Sequence, residues 1–108
     1  GLLMTWFRAL WLLVLLAAPS PAAAQAVSLS ALATNPVRYD HRTVTVTGTV
    51  GLVEGSGASQ SFTLIDGGVS VRVLAAGGLR ARTGDRVEVE GLFKLAGNQI
   101  EALRVNLR

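Results

Sequence analysis

His41 is the only histidine of the chain and stands in the run Tyr39-Asp40-His41-Arg42. An imidazole beside a carboxylate can bind a metal, shuttle a proton or titrate near neutrality. A metal site needs further ligands, and one acidic neighbour supplies too few, so His41 reads as a surface turn residue. Cysteine is absent, which removes disulfides, thiolate metal sites and cysteine nucleophiles together. The seven Asp and Glu are scattered, and they form neither a paired-carboxylate site nor a nucleophile with its base. The expectation is a protein that is not an enzyme, with no catalytic residue, no metal site and no cofactor.

The remaining polar residues fit binding better than catalysis. Arg72, Arg80 and Arg82 could hold an anionic group, and Thr45, Thr47, Thr63 and Ser70 supply hydroxyls in the outward phase of their strands. Together these seven make the candidate ligand-binding set. Plainer roles compete: Arg80 and Arg82 could solubilise a glycine-rich loop, and Arg72 could pair across a sheet with Glu88 or Glu90. Glu88 and Glu90 share one strand face, which reads either as an acidic docking stripe or as an ordinary solvated surface.

The elements that carry these residues follow from period-two alternation. Val44, Val46, Gly48 and Val50 alternate with Thr43, Thr45, Thr47 and Thr49, which predicts a long strand with a bend at the inward Gly48. Gly51 to Gln60 is expected to be a loop. A second strand is expected over 61–65 with Phe62 and Leu64 inward, then the Asp66-Gly67-Gly68 turn. A third is expected over 69–74 with Val69, Val71 and Val73 inward. After a short connection over 75–85, a fourth strand spans 86–94 and a fifth 99–107. In the fifth the apolar phase slips from Ile100 and Ala102 to Leu103, Val105 and Leu107, which requires either a bulge or burial on both faces. Ahead of the strands, Ser28 with Leu29, Leu32 and Ala33 predicts one short helical turn before Asn35-Pro36.

The run from Asn35 to Val50, with its V-x-V-x-G-x-V core (Val44, Val46, Gly48, Val50), resembles the opening of OB-fold domains, including small exported bacterial ones. Phe62 to Asp66, Val69 to Val73 and Thr83 to Gly91 resemble the later strands of the same fold. The resemblance spans most of 37–105. It implies an all-β, five-stranded Greek-key barrel of the OB type, but not an activity. Two departures stand out: Asp40-His41 occupies a turn that an Asp-Gly pair would fit better, and the connection before the fourth strand has no clear helix.

Residues 1–26 have the three regions of a secretory signal: Arg8 near Met4, the apolar run Ala9 to Ala18, and small residues ending at Ala24-Gln25-Ala26. Met4 is taken as the start and cleavage is expected after Ala26, which leaves residues 27–108 as one OB-type domain. Pro19 and Pro21 interrupt the apolar run well short of the roughly 20 residues a membrane span needs. Contact with the membrane would then be transient, through the signal, and the product is expected to be exported, either periplasmic or secreted. Beyond Arg8, nine Lys and Arg face seven Asp and Glu, so charge alone does not demand nucleic acid. Both phenylalanines of the barrel point inward by parity, leaving no aromatic surface on which bases could stack. The preferred reading is a non-catalytic exported binding module whose partner is an envelope protein or a small ligand. The alternative is an OB domain that binds single-stranded nucleic acid.

Overall fold

The computed structural model describes residues 24–77 and 79–108; of the expected leader, residues 1–23 lie outside them. Strand β1 is the two-residue Gln25–Ala26. Helix α1 spans Leu29–Thr34, with the Ser28 hydroxyl accepting from the Ala31 amide at 3.0 Å, and helix α2 spans Pro36–Tyr39. The strands that follow are β2 (Arg42–Ser56), β3 (Ser59–Asp66), β4 (Val69–Ala76), β5 (Arg86–Lys94) and β6 (Gln99–Leu107).

The Val/Thr alternation makes β2 a strand, and its length of fifteen residues makes it serve two neighbours. Arg42 to Thr49 pair antiparallel with β5, and Thr49 to Ser56 pair antiparallel with β3. Strand β3 returns as a hairpin with β4, β4 runs parallel to β6, and β6 pairs antiparallel with β5. The contact of β5 with β2 closes a five-stranded barrel in the order β2-β3-β4-β6-β5, and β1 lies parallel to β2. Inward side chains from all five strands fill the interior: Val46, Leu64, Val73, Val89, Phe93 and Ile100 are all buried. Leu29 and Leu32 of α1 and Tyr39 of α2 belong to the same core.

Gly48 sits where β3 passes close over β2. A Cβ there would lie 2.8 Å from the carbonyl oxygen of Ile65 and 2.9 Å from the Leu64 side chain. The missing side chain therefore permits the approach that lets one strand wrap both halves of the barrel.

The expected loop over 51–60 is corrected by the structure. Strand β2 continues to Ser56 and β3 begins at Ser59, so this stretch is a paired hairpin arm. Glycine and serine lower strand propensity, but the β2–β3 register carries on past a bulge: Val50 faces Leu64, Val53 faces Phe62, and Gly51 with Leu52 oppose Thr63 alone. Strand β4 likewise runs two residues further than expected, to Ala76. Strands β5 and β6 have the expected limits. The phase slip in β6 is a bulge: Glu90 pairs with Arg104 and Gly91 with Ala102, leaving Leu103 unmatched. Burial on both faces is ruled out, since Leu103 is 69% and Leu107 60% exposed.

Gly48→Ala is expected to cost about 1–3 kcal/mol through overpacking against backbone that cannot yield, read from urea unfolding as a lower midpoint at unchanged slope. Val46→Asp places an unpaired charge at a fully enclosed position and should abolish the cooperative melt. A wild-type melt for Val46→Asp would overturn the inward phase of β2.

Candidate ligand-binding face

The outward residues of β3 and β4 form one continuous surface because the hairpin register fixes them opposite each other. Thr63 faces Arg72, Ser61 faces Leu74 and Ile65 faces Ser70. On the far side of β4, Arg72 stands beside Gln99 of β6. The Arg72 guanidinium donates to the Ser61 hydroxyl at 3.5 Å, a long contact that leaves most of its donors free. A groove of about 350 Å³ opens here between the hairpin arm and β4, lined by Glu54, Gln60, Ser61, Arg72 and Leu74 among others.

The seven candidate residues fall in four places. Thr63, Ser70 and Arg72 share the β3–β4 face. Thr45 and Thr47 lie opposite Glu90 and Glu88 on the β2–β5 side, in a shallow hollow with Ala26, Asp66 and Arg108. Arg80 lines a separate groove with Leu103 and Arg104. The amide of Arg82 donates to the Asp85 carboxylate at 2.9 Å within the turn before β5. Ser61, Leu74 and Glu54, which join Arg72 around its groove, were not among the candidates. Their signal was the in-phase pair Val53 and Phe62, which the glycine-rich composition between them obscured.

Ion pairing distinguishes the arginines. Glu90 takes Arg104 at 3.6 Å and Glu88 takes Arg108, while Arg86 faces Asp66 at 3.6 Å and Lys94 faces Glu101 at 3.0 Å. The cross-sheet pairing of Arg72 with Glu88 or Glu90 is thereby corrected, because the β5–β6 register gives those carboxylates to β6 and the chain end. Among the described residues Arg72, Arg80 and Arg82 have no carboxylate partner. The four inter-strand pairs are exposed and each contributes about 0–1 kcal/mol. They also neutralise the acidic stripe, so the uncompensated positive charge lies elsewhere.

Among the described residues no outward aromatic joins the β3–β4 face: Phe62 is 2% and Phe93 0% exposed, and Tyr39 is buried with the Arg38 guanidinium 5.8 Å from its ring centre. His41 adopts a left-handed φ of 60°, which accounts for the awkward fit of its turn to a non-glycine residue. Its Nδ1 lies 3.1 Å from the Asp40 carboxylate, which also accepts from the Leu95 amide at 2.9 Å. This ties the entry of β2 to the β5–β6 turn. Among the described residues no three of His, Asp and Glu converge on a metal position.

The Leu95 amide is the main cause that holds the Asp40 carboxyl below the usual aspartate range, against the opposing effect of desolvation and with His41 assisting. A carboxylate whose pKa is lower folded than unfolded stabilises fully above its unfolded value, near ~3.9, and loses that contribution as pH falls through the folded value. Thermal melts of wild type and Asp40→Asn are therefore expected to differ at pH 6, and the gap to close as pH falls below the usual aspartate range. A gap that stays constant down to acid pH would rule out the carboxylate as the source.

No family model matches the chain, and no curated relative matches it. Solved structures do. A protein described as an aspartyl-tRNA synthetase from Leishmania major Friedlin aligns with a TM-score of 0.64 at 15% identity, over 83% of this chain and 22% of its own. A structure of yeast Stn1 and Ten1 aligns with a TM-score of 0.66 at 9% identity, over 81% of this chain and 64% of its own. The chain thus spans less than two thirds of either neighbour. At these identities the likeness is one of fold, and with the closed strand order above it makes the barrel an OB fold.

Proposed function

We propose that this OB barrel is a non-catalytic binding module that holds single-stranded nucleic acid on the outer face of β3 and β4. The observation that carries the reading is Arg72: an exposed guanidinium on that face, without a carboxylate partner among the described residues, set among Ser61, Thr63 and Gln99. A guanidinium free of internal partners offers a planar fork of donors to phosphate, and neighbouring hydroxyls can add to it. OB barrels commonly bind on this face and its flanking loops. One of the similar structures is by name an aspartyl-tRNA synthetase, which is consistent with an RNA or DNA strand as the ligand class.

A second reading, an exported module for an envelope protein or small ligand, is favoured by the burial of Phe62 and Phe93. Without aromatic stacking, which is worth about 1–3 kcal/mol per base, binding on this face would rest on backbone contacts alone. It would be weak and strongly dependent on salt.

Fluorescence-anisotropy titration with labelled single-stranded DNA and RNA, at low and near-physiological salt, separates the two. Saturable binding that falls steeply with salt is expected, and Arg72→Ala should weaken it for every sequence while lowering the salt slope by about one. No binding at either salt would reject the nucleic-acid reading in favour of the second. Binding unaffected by Arg72→Ala would reject the β3–β4 face.

A further inference from the structure

Strand β6 uses both edges over only part of its length. From Gln99 to Ala102 it pairs with β4 on one side and with β5 on the other. After the bulge at Leu103, residues 104–107 pair with β5 alone among the described residues. The space that a longer β4 would occupy is bounded instead by the connection after it, at Leu79, Arg80 and Ala81. A groove of about 380 Å³ runs between this connection and β6, within the usual size range of ligand sites.

Its lining has a definite character. Leu79, Leu103 and Leu107 give it an apolar side, and Leu103 and Leu107 are the more exposed at 69% and 60%. Its charged lining residues are Arg80 and Arg104, with no Asp or Glu. Arg80 has no carboxylate partner among the described residues, and Arg104 has only Glu90 at 3.6 Å. A strand edge left unpaired offers backbone donors and acceptors at the spacing of another strand.

We propose that this groove receives an extended acidic peptide segment of a partner protein, which adds to the open edge of β6 as a further strand. Main-chain hydrogen bonds to residues 103–107 would supply affinity, as in other cases of strand addition. An alternating sequence would place apolar side chains against Leu79, Leu103 and Leu107, and carboxylates beside Arg80 and Arg104. The lining selects this occupant over a second copy of the chain, because residues 103–108 hold no Asp or Glu, and a copy pairing β6 on β6 would bring no carboxylate to Arg80 or Arg104. This groove adjoins the one around Arg72 at Ala75 and Ala76, but its charged residues are Arg80 and Arg104, so the inference does not depend on the nucleic-acid reading.

The test uses the ¹⁵N-labelled protein and an octapeptide of alternating valine and glutamate. Saturable binding is expected, with amide shift changes confined to residues 103–107 and 79–81. Arg80→Glu should weaken binding by about tenfold through charge reversal, with an unchanged melt. Arg104→Glu should do the same, and the alternating valine–lysine peptide should not bind. Because only one set of alternate amides in an added strand faces its neighbour, N-methylating one set should abolish binding and N-methylating the other should spare it. The proposal is overturned by absence of saturable binding, by shifts around Arg72 instead, or by equal tolerance of both methylated peptides. It is also overturned if an oligonucleotide competes at the groove, or if sedimentation shows that the free protein pairs with itself through this edge.

Discussion

At Val50 strand β2 leaves one neighbour for another, and the rest of the barrel depends on how that exchange is satisfied. Thr49 is still registered with both Arg86 of β5 and Ile65 of β3, but beyond it β5 has begun and offers nothing further to pair. The turn leading into β5 fills the gap: the Val50 amide donates to the Asp85 carbonyl at 2.8 Å, the Val50 carbonyl accepts from Gly84 at 2.8 Å, and the Gly51 carbonyl accepts from the Thr83 hydroxyl at 2.7 Å. Backbone polar groups buried without partners are costly. The Thr83-Gly84-Asp85 turn therefore serves as a further neighbour of β2, beside β1, β3 and β5. The contact of Asp85 with the Arg82 amide holds that turn in shape.

The same exchange decides which elements could be read in the sequence. Period-two alternation depends only on which face is buried, so the inward residues of β2, β3 and β4 and the inward Phe93 of β5 were legible, as were the limits of β5 and β6. Gly48 was legible as a bend because an inward glycine in a β-branched run gives up core packing, which a strand tolerates where it must curve or let another backbone come close. The hairpin arm was not, because pairing between residues 51–56 and 59–63 is a property of two strands meeting past a bulge, while propensity reports on each residue alone. In β6 the sequence carried the phase slip itself. Only the β5–β6 register could show that Leu103 is the unmatched residue.

The candidate site was legible to the same limited degree. Parity assigned Thr45, Thr47, Thr63, Ser70 and Arg72 to outward positions, but it does not say how a bent strand divides them. Because β2 turns from β5 to β3 at Val50, its two threonines lie against the glutamates of β5, and only Thr63, Ser70 and Arg72 share one surface. The arginine partners were hidden for a related reason. Which arginine reaches Glu90 is decided by the single-residue shift at Leu103, which brings Arg104 opposite it.

The two bulges have opposite consequences for the strands that carry them. At Gly51 and Leu52 the extra residue lets β2 continue into the arm, and the backbone freed by the exchange is taken up by the turn before β5. At Leu103 the extra residue falls where β6 stops pairing with β4, after four registered pairs, while its pairing with β5 continues. There the connection from β4 to β5 brings a short irregular segment against the opening, with Ala81 buried and Leu79 partly so. Its tie to the arm is the Leu79 amide, which donates to the Gln60 side chain at 2.8 Å, so this segment is braced on β3 rather than on β6. The barrel is closed around its circumference, yet the seam where its strands β4 and β6 run parallel is, among the described residues, bordered by the connecting chain without pairing.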